Sequence, residues 1–162
     1  MRRSLAERGV IVMKESRVVA RITTTHGGSL DIAGHIIAII KNAERRITAG
    51  VRFENTETSR LGSAAFLDPD EVEEFLGALN FIISSAEQMA RSTRDYTEVT
   101  FSTRDDFTIG FFQDGQAQQG IARLSAVHPF MGFRVTELNT IRGAVNQARD
   151  YVGNRRVSWE AR

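Results

Sequence analysis

Over the first third of the chain, apolar side chains recur at every second position. Residues 17–25, Arg-Val-Val-Ala-Arg-Ile-Thr-Thr-Thr, are rich in β-branched side chains and set Val18, Ala20 and Ile22 on one face, which predicts a strand. His26-Gly27-Gly28-Ser29 is a turn signal. Residues 30–41 predict a second strand that is apolar on both faces, with Ile36 and Ile40 on one and Ile37 and Ile39 on the other. Such a strand belongs at the centre of a sheet or in a subunit interface. After a turn at 41–44, residues 46–54 predict a third strand. Ile47, Ala49, Val51 and Phe53 point inward, and Arg46, Thr48, Arg52 and Glu54 outward. A polar loop over 55–60 and a short fourth strand over 61–67 follow.

The period then changes. Asp68-Pro69-Asp70-Glu71 predicts a helix start, with Asp68 capping free amides, Pro69 at the first helical position and Glu71 completing an acidic variant of the capping box. Val72, Phe75, Leu76, Leu79, Ile82 and Ile83 continue at helical spacing through a helix over 69–91. The carboxylates at 68–74 sit where the helix dipole favours negative charge, so they are expected to be structural. Strands return at 96–103, with Val99 and Phe101 on one face. A second runs over 107–113, with Phe107, Ile109 and Phe111 opposed to Phe112, and further strands are predicted over 118–127 and 130–135. Thr136 is expected to cap a last helix with the stripe Leu138, Ile141, Val145, Ala148 and Val152, ended by Gly153-Asn154. The tail from Arg155 is expected to fray, with Trp159 free to dock.

The order is ββββα twice. Gly77-Ala78-Leu79-Asn80 matches Gly143-Ala144-Val145-Asn146 at an offset of 66, and at that offset Glu71 meets Glu137, Val72 meets Leu138 and Phe75 meets Ile141. The expected fold class is therefore α+β. Residues 1–16 would form a flexible arm, 17–92 and 93–153 two ββββα units packed as one pseudo-symmetric domain, and 154–162 a tail. This duplicated order, over residues 17–152, resembles the Whirly family and the dimer of the positive-cofactor-four coactivators. The resemblance implies curved sheets that bind single-stranded DNA, and a transcription-related role. The candidate strand reads His35-Ile36-Ile37-Ala38-Ile39-Ile40 where that family has a basic, glycine-centred motif, so no functional residue is carried over.

Composition narrows the chemistry. A chain of 162 residues and 18.1 kDa buries enough surface to fold without staples. It has no cysteine, which excludes disulfides, thiolate metal sites and cysteine nucleophiles. The net charge of +1 hides a distribution: +5 over residues 1–60, −8 over 61–121 and +4 over 122–162. Nineteen of the 21 basic residues are arginine, the better residue for forked phosphate contacts and for stacking on bases. The longest apolar run, Ile36–Ile40, is far below the ~20 residues of a membrane span, and no secretory signal is visible. A cytoplasmic location is the expectation. Glu7-Arg8-Gly9 can be encoded like a bacterial ribosome-binding site ahead of Met13, which makes Met13 an alternative start.

Strand alternation predicts a basic outward face of Arg17, Arg21, Arg46 and Arg52, with Arg104, Phe112 and Arg123 as its counterpart in the second half. Cations that track a backbone beside aromatics that stack bases are the chemistry of single-strand binding. Phe112 otherwise fits a subunit interface. The histidines at 26, 35 and 128 lack zinc spacing, and Asp105, Asp106 and Asp114 lie in turns where aspartate has backbone reasons to be. No phosphate loop or nucleophile elbow is present. The chain is thus expected to be non-enzymatic, without cofactor or metal, binding single-stranded DNA or RNA, with homo-oligomer formation open to it; an interaction or assembly module is the alternative. Pairing of the arginines with Asp31, Glu54 or Glu57 would favour the alternative. A pleckstrin-homology-like fold would lack the helix over 69–91.

Overall fold

A computed structural model describes residues 9–56 and 64–160. The chain is α+β, and the described residues form two four-stranded antiparallel sheets and two helices. The first sheet is the meander β1 (Ile11–Thr23), β2 (Ser29–Lys41), β3 (Glu44–Asn55) and β4 (Ala64–Leu67). Helix α1 (Val72–Met89) follows. The second sheet is the meander β5 (Arg94–Ser102), β6 (Thr108–Gly115), β7 (Ala117–Arg123) and β8 (Met131–Phe133), followed by α2 (Glu137–Glu160). The mid-chain helix removes the pleckstrin-homology-like alternative.

Cross-strand partners share a face, so the register sorts every side chain. Ile22, Leu30, Ile32, Val51, Phe53, Ala65 and Leu67 line the inner face of the first sheet. They meet the apolar stripes of α1 and α2 and the inner face of the second sheet, Ile109, Phe111, Ala122, Met131 and Phe133. Phe53 stacks on Phe107 with ring centroids 4.2 Å apart, and Phe75 of α1 packs against both. The sheets also touch at their margins. The Thr25 N–H donates to the Gly132 carbonyl at 2.8 Å, and the Phe66 N–H donates to Asp105 at 3.2 Å.

Several boundaries differ from the sequence expectation. β1 begins at Ile11, inside the predicted arm, because residues 11–16 pair in register with Ile40 to His35. A β-bulge between Val18 and Ala20 then shifts the alternation, leaving Val18 on the outer face while Ala20 and Ile22 stay inside. Residues 57–60 of the predicted loop, with Glu57, and 61–63 of the predicted fourth strand lie outside the described residues.

Helix α1 starts at Val72, after a turn closed by the Glu71 N–H on the Asp68 carbonyl. The N-cap is Glu71 rather than Asp68, and it makes no side-chain cap hydrogen bond. Glu71 supplies the reciprocal half of the box instead, accepting the Asp68 N–H at 3.3 Å. β7 ends at Arg123 rather than 127, because Ser125 to His128 close a turn through both backbone and Ser125 Oγ–His128 Nδ1 at 2.6 Å.

Helix α2 does not stop at Gly153-Asn154 but runs on to Glu160. An interior glycine costs about 1 kcal/mol against alanine. The docking of Trp159 beside Ile36, Ala38, Ala49 and Val152 outweighs it.

Candidate nucleic-acid interface

The outer face of the first sheet, turned away from both helices, holds Lys14, Arg21, Arg46 and Arg52. Arg17 is not among them. It pairs across to Gly34, on the helix side, and its guanidinium lies 5.7 Å from the Tyr151 ring centroid. The bulge separates it from Arg21, so the predicted stripe of four is split between two faces. Gly34 is what admits α2 there, since a Cβ at this position would stand 2.6 Å from the Tyr151 ring.

Two outer arginines are already partnered. Arg21 forks onto Asp31 through Nε at 2.8 Å and Nη2 at 2.7 Å, and Ser29 Oγ donates to the same carboxylate. That hydrogen-bonded pairing holds the Asp31 carboxyl below its usual range against the opposing effect of burial. Arg52 bonds Glu54 at 2.6 Å. Among the described residues, no ion pair holds Lys14 or Arg46. Between these cations, His35 lies opposite Ser16 and Gly50 with its ring 5.7 Å from that of Phe66. It is 6% exposed and its Nδ1 has no hydrogen-bond partner. Burial, then the charges of Arg52 and Lys14, lower its pKa to about 4.

The second sheet contributes aromatic platforms on its own outer face. Phe112, opposite Glu98 and Gln119, stacks with Tyr96 at 5.6 Å, and the Tyr96 hydroxyl donates to Glu98. The Arg123 guanidinium lies 4.8 Å from the Phe130 ring centroid, and its buried Nε has no partner. Arg104 belongs elsewhere. It sits in the β5–β6 turn, bonding Asp70 at 2.6 Å and Glu71 at 3.0 Å, and its backbone N–H donates to Glu71. It is a clamp on the start of α1 rather than a counterpart of Arg123. Burial would raise the Glu71 carboxyl, but Arg104 and the two backbone N–H groups together hold it down. The carboxylates at 70, 71 and 73 all have such structural partners, Glu73 bonding Arg149 at 2.7 Å.

The two outer faces meet where Gln119 donates to Thr25 Oγ1, beside the Thr25–Gly132 backbone bond. Sequence reasoning missed Lys14, which fell in the assigned arm, and Phe130, which opened the strand expected over 130–135 but lies just before β8. Tyr96 was legible: it stands two residues before Glu98 and so shares the face of Phe112. Among the described residues, no group of three or more His, Asp or Glu side chains could hold a metal ion, and no helix is long and apolar enough to cross a membrane. No family model matches the chain, and neither a curated protein nor a solved structure matches it.

Proposed function

We propose that this chain binds single-stranded nucleic acid, without enzymatic chemistry, along the joined outer faces of its two sheets. The observation that carries the reading is the sorting of side chains. Lys14 and Arg46 on one outer face, and Arg123 beside Phe130 with Tyr96 stacked on Phe112 on the other, are held apart from the helix-covered core. Cations meet phosphates, and exposed rings stack bases at about 1–3 kcal/mol each. Arg21 and Arg52 are neutralised by carboxylates, so phosphate contacts fall to Lys14, Arg46 and Arg123.

The test is fluorescence anisotropy of a labelled oligothymidine at two or more salt concentrations, with duplex as control. Three contacts to a single strand predict a log–log slope of about −2.1. Lys14→Ala or Arg46→Ala should reduce its magnitude by about 0.7, and Arg104→Ala should leave it unchanged. Absence of binding at low salt refutes the reading. The Arg21–Asp31 and Arg52–Glu54 pairs favour the second reading, an assembly or interaction module without nucleic acid, and that outcome would select it.

The sequence repeat has a parallel in packing. At the offset of 66, buried Val72, Phe75, Leu79, Ile82 and Ala86 of α1 correspond to buried Leu138, Ile141, Val145, Ala148 and Val152 of α2. This supports two ββββα units related by duplication and packed as one pseudo-symmetric body, the arrangement that the Whirly resemblance implies.

A further inference from the structure

Among the described residues β1 is the outermost strand of its sheet, 13 residues long, with a strand neighbour on one side only. A long edge with apolar side chains is a template for pairing with another chain. Of the eight exposed large apolar side chains among the described residues, three lie on this strand: Ile11 (65% exposed), Val18 (53%) and Met13 (46%). Beside the edge runs a groove of about 690 Å³, walled on the inner side by Glu15, Arg17 and Val19 of β1 and by Gln147, Tyr151 and Asn154 of α2.

We propose that β1 pairs antiparallel with β1 of a second copy about a two-fold axis at Ser16, joining the two first sheets into one. The charges select this register. Glu15 and Arg17 share the inner face, two positions apart, so centring on Ser16 sets the Glu15 carboxylate, which already accepts Arg155, Tyr151 and Trp159 of its own α2, opposite the partner's Arg17, and Arg17 opposite the partner's Glu15. On the same pairing, Lys14 on the outer face is opposite the partner's Val18. Moving the centre by one residue sets Glu15 against the partner's Glu15, or Arg17 against the partner's Arg17. Like charges directly opposite are destabilising, and every register between these flips each side chain to the wrong face. The inner-face side chains of the added strand enter the groove along α2. The bulge after Val18 ends the flat stretch available for pairing.

The proposal deepens the assembly reading and needs no nucleic acid. It is tested by light scattering or sedimentation of the full chain over a concentration series, without nucleic acid. The expected mass is twice the 18.1 kDa of the chain. Val18→Lys sets a lysine opposite the partner's Lys14 at both symmetric sites and should weaken the dimer roughly tenfold, whereas Val18→Glu should tighten it. Arg17→Glu should weaken it and Arg17→Lys should not. Both positions are exposed, and circular dichroism checks that each variant folds. A dimer that responds alike to Val18→Lys and Val18→Glu overturns this interface and leaves assembly to another surface. A monomer at every concentration overturns both.

Discussion

His35 shows how one side chain can record its surroundings. It lies on the central strand of the first sheet, buried, with Arg52 and Lys14 nearby and nothing bonded to Nδ1. The fold therefore favours the neutral ring, with a pKa of about 4 against an ordinary 6.5. Between these values the unfolded chain binds more protons than the folded one. The stabilisation is complete above pH 6.5 and is lost as pH falls through 4. Urea unfolding should show this as a decline approaching about 1.4 kcal/mol per pH unit within that window. His35→Gln should flatten it; an unchanged slope would mean that another group carries the effect. The sequence placed His35 on a sheet face. It did not show that the ring would be dry, because that depends on side chains from three other strands.

At the scale of elements, the end of α2 and the start of β1 hold each other. Glu15 Oε1 accepts the Arg155 Nε–H at 2.7 Å and the Tyr151 hydroxyl at 2.6 Å, while Oε2 accepts the Trp159 indole N–H at 3.1 Å. The Arg155 hydrogen bond above all, then that of Tyr151, lowers the Glu15 pKa from 4.5 to about 2. This contribution is present above pH 4.5 and is lost as pH falls toward 2. Trp159 is the chain's single tryptophan, so its emission reports the docking directly. It should shift to the red across that interval. In Glu15→Gln the shift should be absent, because no carboxylate remains to titrate. A wild-type emission constant down to pH 2 would exclude the coupling. Both partners lay in segments assigned from the sequence as arm and tail. Their local patterns are weak, and only their mutual contact makes them a strand end and a helix end.

At the scale of the whole molecule, the stacked rings of Phe53 and Phe107 carry the core from one sheet to the other. Both are fully buried, so Phe107→Ala should cost about 3–5 kcal/mol and lower the melting temperature by roughly 6–20 °C. The Trp159 signal reports the first sheet and far-ultraviolet circular dichroism reports all of the chain. With a shared core, both should melt in one coincident transition in the wild type and in the variant. Separate transitions would show that the two halves do not stabilise each other.

The period of the apolar pattern by itself determined the eight strands, the two helices, their order and most of the core. Alternation of 2 and recurrence of 3.6 are backbone properties that act within a few residues. They placed Phe53, Phe111 and Leu138 inside, and Arg46 and Phe112 on the opposite faces of their strands. Only the tertiary structure decided what departs from those periods. The bulge after Val18 put Arg17 and Arg21 on opposite faces, although three small apolar residues in a row fit regular alternation equally well. Asp31, Glu54 and Glu71 took their arginines because strand register and the β5–β6 turn brought the charges together. Trp159 carried α2 past Gly153, because burying an indole against three strands outweighs a glycine in the helix. These are contacts between residues distant along the chain, and a local pattern carries no record of them.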